Sequence, residues 1–240
     1  MNRSEKTVVK YRTFVPFLSI LTLLGLSGAG HASTIFSPGD AILGGASDGT
    51  NFIVGTTGGD AGANEWPTPE GPEHMIDGVG QKYLNFAGDE AGMAAGAIVT
   101  PIGGSSVAGG ITFWTANDSV PRDPASYQLF GTNAPIVGDP LLSLFELIAE
   151  GDIALPDTRN SGGIFPLLDE NSLTVMFGNT NAYTSYLVLF PTLKDADAAN
   201  SMQIAEVQLH HRATAVPEPI TLLLLGLGLA GLGVSRRRLH

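Results

Sequence analysis

Short segments with strand-like alternation of apolar residues run through the middle of the chain. In residues 172–177, Leu173, Val175 and Phe177 fall at every second position, which is the period of a strand with one buried face. Clusters of Gly, Pro, Asn and Asp separate these segments, and an apolar patch at residues 52–54 predicts an additional entry strand. The seven other predicted strands are residues 82–86, 97–101, 110–115, 127–131, 172–177, 185–190 and 202–209.

Seven or eight short strands without sustained helical periodicity predict an all-β fold, of the β-sandwich or jelly-roll type. The one helix-like run is residues 140–148, where Leu141, Leu144, Phe145 and Ile148 have helical spacing. We expect a short helix there, inserted between strands. The proline-rich segment 66–72 can hold neither a helix nor a central strand.

The first 32 residues consist of a basic segment, an apolar segment and a run of small residues, in that order. This order is typical of a cleaved signal peptide and implies the Sec export machinery as a partner. We predict cleavage after Ala32, with Ala29 as the alternative. An uncleaved anchor is the other interpretation, but Pro16 and Gly25 interrupt an apolar stretch that is already short for a span of about 20 residues.

Charge is distributed unevenly along the chain. Seven of its 12 basic residues lie in the two terminal segments, so residues 33–212 contain 5 basic and 21 acidic residues. A domain this acidic repels nucleic acid and suits cations or neutral sugars. The exported chain has no cysteine, and a bound divalent cation would be one way to fix its many loops without disulfides.

The C-terminal segment has three parts. A linker at residues 213–219 ends in Pro217, Glu218 and Pro219, and an apolar helix is predicted at residues 220–235. Residues 220–234, apolar or glycine except for Thr221, would span about 22 Å as a helix, which is short of a hydrocarbon core of about 30 Å. The basic tail, residues 236–240, is expected to stay cytoplasmic; its arginines are Arg236, Arg237 and Arg238.

These C-terminal residues resemble the PEP-CTERM sorting signal of Gram-negative, exopolysaccharide-producing bacteria. The resemblance implies recognition by exosortase, a membrane protease-transpeptidase, with processing near Pro217, Glu218 and Pro219. It implies an inner-membrane intermediate, held by the C-terminal helix, and then a place in the cell envelope, at the cell surface or in the extracellular matrix. An ordinary tail anchor with a rigid proline spacer is the alternative.

The middle of the chain resembles galactose-binding-like domains of the discoidin or coagulation-factor C-domain type. The resemblance begins with His74-Met75-Ile76-Asp77-Gly78 and Lys82-Tyr83-Leu84-Asn85-Phe86. Segments within residues 116–127, 155–159 and 201–207 follow in the order of that family. The resemblance covers roughly residues 72–209 and implies a jelly-roll sandwich, to which we assign residues 33–212.

Glu206 is the most informative carboxylate of this domain. It lies in an apolar run, where burying an unpaired ionised carboxylate would be costly, so it needs a partner. The family resemblance implies a structural Ca²⁺ held by the side chains of Asp77 and Glu206 and by carbonyls near Gly80 and Lys82, an oxygen shell that suits this ion.

This prediction has two alternatives. After Asp77, residues 78–81 lack the further Asn or Asp and the Thr that are common in the corresponding loop of the family. The first alternative is therefore that the calcium site is weakened or lost. In the second, Glu206 faces solvent or pairs with Arg159 or Arg212.

Carbohydrate recognition requires exposed aromatic faces with polar neighbours. The candidates are Trp66, His74, Trp114 and Arg122. Among them Trp66, which lies among prolines, is expected to be exposed. The alternatives are that Trp114 packs with the core and that Arg122 braces the adjacent turn.

Three functions are compatible with the sequence. We favour a noncatalytic surface or matrix binding module, with polysaccharide as the candidate ligand. The second hypothesis is a purely structural extracellular protein. The third is a hydrolase, because residues 45–49 match G-x-S-x-G around Ser47, but that motif requires a following helix that the sequence does not predict.

Overall fold

The structure, a computed structural model, describes residues 33–89 and 93–213. This part of the chain contains strands β1 (Ala41–Ser47), β2 (Phe52–Val54), β3 (Thr56–Thr57), β4 (Glu65–Trp66), β5 (Tyr83–Asn85), β6 (Ala94–Thr100), β7 (Ala108–Trp114), β8 (Ser126–Thr132), β9 (Glu146–Asp152), β10 (Ser172–Met176), β11 (Ser185–Phe190), β12 (Met202–Ile204) and β13 (Glu206–His211). Short 3₁₀ helices lie at Thr68–Glu70, Pro72–Met75, Phe86–Asp89, Val120–Arg122, Leu142–Leu144 and Asp169–Asn171.

Two antiparallel sheets form the sandwich. The larger has the order β2-β1-β6-β11-β8-β9, and the smaller has the order β10-β7-β13. From β6 onward the chain passes repeatedly between the sheets, so that β7, β10 and β13 join the small sheet and β8, β9 and β11 join the large one. This strand order confirms the predicted jelly-roll sandwich.

The main core lies between the two sheets. Alternate residues of the large sheet, such as Val99 and Val188, share a buried cluster with Phe113 and Leu209 of the small sheet. In the small sheet, β10 and β13 alternate between more and less buried residues, as a period-2 pattern requires, whereas the central strand β7 is buried throughout.

A second apolar cluster covers the outer face of the large sheet. Its buried members are Phe52, Ile98, Phe145, Leu187 and Leu189. The segment 133–145 crosses this face and is fixed near the β1–β2 hairpin, where the backbone N–H of Phe52 donates to the Pro140 carbonyl at 2.9 Å. Both faces of the central strands are therefore apolar, which explains the continuous hydrophobic run of residues 186–190.

The sandwich has two chemically different ends. The "terminal end" is formed by residues 33–40, 101–107 and 177–184 together with Arg212. The "loop end" is formed by residues 76–82, 115–125, 153–171 and 191–205. The strand registers place these groups at opposite ends, because Glu206 pairs with Trp114 whereas His211 pairs with Ala108.

Two sequence predictions for local structure differ from what is observed. The Gly and Ala content of residues 34–64 predicts loops around a single entry strand at 52–54, but residues 41–47 form strand β1, and their small side chains allow close packing. A Cβ at Gly44 would lie only 2.8 Å from atoms of Pro72 and Tyr83. The helix expected at 140–148 is wrong. Leu142 and Phe145 instead turn into the second cluster, and β9 then pairs with β8.

The strand predicted at residues 202–209 is divided between two sheets. Ala205 separates β12, which pairs with β5, from β13, which pairs with β7. Within residues 33–89 and 93–213, no helix is long and apolar enough to cross a membrane. The predicted signal peptide, the sorting helix and the basic tail lie outside the described residues.

Candidate functional site

The loop end brings Asp77 and Glu206 to the same turn. Glu206 begins β13 with its side chain 2 % exposed, and its Oε2 accepts a hydrogen bond from the Gly78 N–H at 2.9 Å. Asp77 Oδ1 accepts from the Val79 N–H at 2.9 Å, and Asp77 Oδ2 lies 2.8 Å from His74 Nδ1. Two carboxylates that are far apart in sequence thus share one corner of the sandwich.

Burial raises the pKa of Glu206 to about 8; the hydrogen bond from Gly78 opposes this shift, and the charge of Asp77 adds to it. The alternative in which Glu206 pairs with an arginine is wrong, because Arg159 binds Asp123 and Arg212 binds the Asn179 carbonyl. The alternative in which Glu206 faces solvent is also wrong, since the side chain is buried.

Gly80 and Lys82 lie beside this corner. The Gly80 N–H donates to the Phe165 carbonyl at 2.8 Å. The Lys82 ammonium lies 2.7 Å from Asp118 Oδ2 and 3.4 Å from Glu70 Oε1. Among the described residues, no three or more His, Asp or Glu side chains gather at metal-binding spacing, so any cation here would depend on the two carboxylates and on backbone oxygens.

The four residues predicted to bind a ligand are not brought together as a set of exposed groups. The expected exposure of Trp66 is wrong: its side chain is 8 % exposed and packs edge-on against Tyr83, with ring centroids 5.8 Å apart. Trp114 is equally buried, and the His74 ring is held against Asp77. Arg122 is half-buried in a 3₁₀ turn.

The exposed aromatic ring of the loop end is instead Phe165. It is 60 % exposed, whereas the other described Phe, Tyr and Trp side chains are buried or half-buried. Two backbone contacts hold its segment, since the Phe165 carbonyl accepts from Gly80 and Pro166 forms a bridge with Val79. The ring therefore projects from a fixed position.

Sequence reasoning missed Phe165 because a single Phe beside Ile and Leu in a loop has no distinctive pattern. The available signal was the glycine pair that precedes it. Gly162 and Gly163 have φ of +70° and +61°, a conformation that favours glycine. This turn directs Ile164 and Phe165 outward, and both are exposed.

A polar cleft adjoins this ring. Its volume is about 180 Å³, and a Cβ placed on Gly163 would lie 4.0 Å from Phe165 Cδ2. The two amide side chains of the cleft can donate and accept hydrogen bonds, while its lysine is already paired with carboxylates. The lining includes Glu70, Gln81, Lys82, Asn117, Gly162 and Gly163.

An ion-pair network fixes three turns of the loop end. Arg159 donates two hydrogen bonds to Asp123, at 2.8 and 2.6 Å, and the Lys194 ammonium lies 3.3 Å from the same carboxylate. Asp123 is fully buried. These contacts join the segments 115–125, 153–171 and 191–205, so the cleft has a rigid support.

Larger clefts lie elsewhere on the domain but lack this combination of groups. One of about 440 Å³ on the outer face of the large sheet is lined by Ile42, Leu43 and Ile136 and contains no aromatic or charged side chain. Another of about 640 Å³ at the terminal end is lined mainly by small residues with His211 and Arg212. Neither has an exposed aromatic face.

The G-x-S-x-G match is a hairpin rather than a hydrolase elbow. Ser47 ends β1 and is 3 % exposed. Its Oγ accepts from the Gly49 N–H at 3.0 Å, and the chain turns directly into β2 instead of entering a helix.

Fold and site together define a jelly-roll module with a polar, aromatic-edged cleft at one end. Its C-terminal segment matches the PEP-CTERM protein-sorting motif over residues 215–238. This match confirms the predicted sorting signal and indicates an exported protein that is sorted to the cell envelope. No curated protein matches the chain.

Several solved carbohydrate-binding modules are similar to this chain. The family 32 module from C. perfringens NanJ, solved with galactose, is 12 % identical over 71 % of this chain and 93 % of that chain, with a TM-score of 0.43. The family 32 module of Streptococcus pneumoniae EndoD is 12 % identical over 75 % of this chain and 100 % of its own, with a TM-score of 0.45. A chitosan-binding module from Paenibacillus sp. IK-5 is 9 % identical over 74 % and 98 %, with a TM-score of 0.44.

Proposed function

We propose that this chain is an exported, noncatalytic binding module that holds a neutral sugar of an envelope or matrix polysaccharide in the cleft beside Phe165. The observation that carries the proposal is an exposed aromatic ring, 60 % accessible, next to a cleft lined by amide and charged side chains. A flat apolar face with convergent polar groups is the combination that a sugar ring requires, because one side of the sugar is C–H and its rim is hydroxyl.

The charges of the cleft favour a neutral ligand. The Lys82 ammonium is paired with Asp118 and Glu70, so it is not available to attract an acidic sugar. Asn117 is exposed and uncharged, and its amide is suited to hydroxyl groups. The large acidic excess of residues 33–212 further disfavours anionic polysaccharides.

A glycan array probed with residues 33–213 tests this function. We expect retention on a subset of neutral glycans and none on uronic-acid polymers, because the site offers hydrogen bonds without a free cation. An array with no hits would favour the purely structural alternative. Hits confined to acidic glycans would contradict the assignment of the cleft.

We also propose that Asp77 and Glu206 hold a structural Ca²⁺. A buried carboxylate with no cationic partner among the described residues supports this proposal, since such a group is costly to ionise unless a cation is present. The two side chains would supply charged oxygens, and the carbonyls of Gly80 and Lys82 would complete the shell. The ion would fix the 76–82 turn, which supports both Phe165 and the cleft.

Sorting gives this module its location. We propose that the Sec machinery exports the chain and that exosortase recognises the motif at residues 215–238, with processing near Pro217, Glu218 and Pro219. The C-terminal apolar segment would hold an inner-membrane intermediate before release to the cell surface or the extracellular matrix. Mass spectrometry of the mature protein should then find a chain that lacks Arg236, Arg237 and Arg238, whereas an intact tail would indicate simple anchoring.

A further inference from the structure

The two ends of the sandwich differ sharply in charge. At the terminal end, residues 33–40, 101–107 and 177–184 contain one carboxylate, Asp40, which is 7 % exposed. It accepts hydrogen bonds from the backbone N–H groups of Ser37 and Ile102. Glu146, at the rim of this end, is bound by the Tyr183 hydroxyl. The loop end contains eight carboxylates, among them Asp118, Asp157, Asp195 and Asp197, and four basic residues, so its net charge is -4. The basic residues are Lys82, Arg122, Arg159 and Lys194.

The terminal end is also where the chain leaves the domain toward its sorting motif. The Arg212 N–H donates to the Val107 carbonyl at 2.8 Å, and the Arg212 guanidinium donates to the Asn179 carbonyl at 2.9 Å. The seven residues 213–219 can span at most about 25 Å. A chain whose apolar segment from Ile220 is held in a bilayer therefore keeps this end within about 25 Å of the headgroups. With the strands along the membrane normal, the loop end lies about 23 Å farther away, the length of a seven-residue strand.

An apolar side chain projects from this weakly charged end. Ile102 is 79 % exposed at the tip of a turn that is closed by a hydrogen bond from the Gly104 N–H to the Pro101 carbonyl at 3.1 Å. The Asp40 carboxylate holds the turn in place by accepting a hydrogen bond from the Ile102 N–H at 2.9 Å. Ile102 and His211 line the same hollow, of about 370 Å³, and Arg212 follows directly in the chain.

We propose that the terminal end is a lipid-facing surface, which rests on anionic phospholipid headgroups while the sorting segment holds the protein. Headgroup charge attracts Arg212 within roughly a Debye length of 10 Å. In the inverted orientation the carboxylates of the loop end would lie within this distance and would be repelled. Ile102 enters the interfacial layer, where its exposed apolar surface is removed from water. The cleft beside Phe165 then points away from the membrane. This inference rests on the sorting part of the proposed function and is independent of the glycan site.

The absence of cysteine from the chain allows a matched pair of single-cysteine probes. Ile102→Cys and Ile164→Cys replace two isoleucines that are 79 % and 82 % exposed at opposite ends of the domain. Each full-length variant is labelled with an environment-sensitive fluorophore and reconstituted into vesicles of phosphatidylcholine and phosphatidylglycerol that contain a quencher-labelled lipid.

We expect the lipid to quench the probe at position 102 several-fold more strongly than the probe at position 164. Equal quenching at the two positions, or quenching at position 164 alone, would overturn the proposal. Absence of quenching at both positions would overturn it as well, because the domain would then stand clear of the bilayer. Glycan binding by the wild-type domain is measured separately and does not depend on these outcomes, so a failure here is distinct from a failure of the glycan site.

Discussion

Replacing Asp123 with alanine should lower the free energy of unfolding by about 3–5 kcal/mol, which corresponds to roughly 10 °C in melting temperature for a domain of this size. The carboxylate is fully buried and neutralises both Arg159 and Lys194, whose side chains are each 18 % exposed. Without it, the largely buried Arg159 loses its carboxylate partner, and Lys194 loses one of its two. Chemical denaturation of residues 33–213 measures the change.

Asp157→Ala is the matched control for this experiment. Asp157 also pairs with Lys194, at 2.9 Å, but its side chain is 82 % exposed. Water replaces the lost contact, so we expect a much smaller change. Comparable destabilisation by the two variants would contradict the assignment of Asp123 as the buried centre of the network.

The stability of the domain without calcium should fall as the pH rises from about 5 to 9, and Glu206→Gln should remove much of this dependence. The pKa of Glu206 is raised from 4.5 to about 8, so between these values the folded state keeps a proton that the unfolded chain has released. Stability is therefore lost as pH increases through this window. At 1.36 kcal/mol per pKa unit, the difference reaches up to about 5 kcal/mol. Urea titrations in the presence of a chelator measure it.

Calcium should reverse this loss in the wild-type domain. At pH 8, an excess of Ca²⁺ is expected to raise the wild-type melting temperature by several degrees, to have less effect at pH 5.5, where Glu206 holds its proton, and to leave Glu206→Gln unchanged. Glu170→Gln, a substitution of an exposed glutamate, should behave as wild type in both experiments. A wild-type melting temperature that does not respond to Ca²⁺ at pH 8 would rule out the structural cation.

The fold could be predicted where the sequence pattern directly reflects packing. The period-2 segment of β10 and the apolar run of β11 have the burial that their patterns require, whereas β7 is buried along its whole length. The pattern failed where the partner of a segment is remote in sequence. Strand β1 needs small residues because Pro72 and Tyr83 pack closely against Gly44. The apolar residues within 140–148 have their spacing because they pack on the outer face of the large sheet.

The candidate site was predictable only in part, for a related reason. Glu206 stands out in the sequence because a carboxylate in an apolar strand must have a partner, and the turn at Asp77 provides its neighbour through Gly78. The proline-rich context of Trp66 favours exposure, but contact with Tyr83 buries the side chain. Phe165 has no local signal of its own, since its exposure depends on the glycine turn and on bonds to residues 79 and 80.

Titration calorimetry with the neutral glycan that binds best on the array tests glycan binding at this cleft most directly. Phe165→Ala should weaken binding about tenfold or more, because it removes the apolar face on which the sugar packs, and Phe165→Trp should retain binding. Val137→Ala, a truncation of another exposed apolar residue, at 78 % exposure, should match the wild type. A Phe165→Ala domain that binds the glycan as tightly as the wild type would contradict the proposed site.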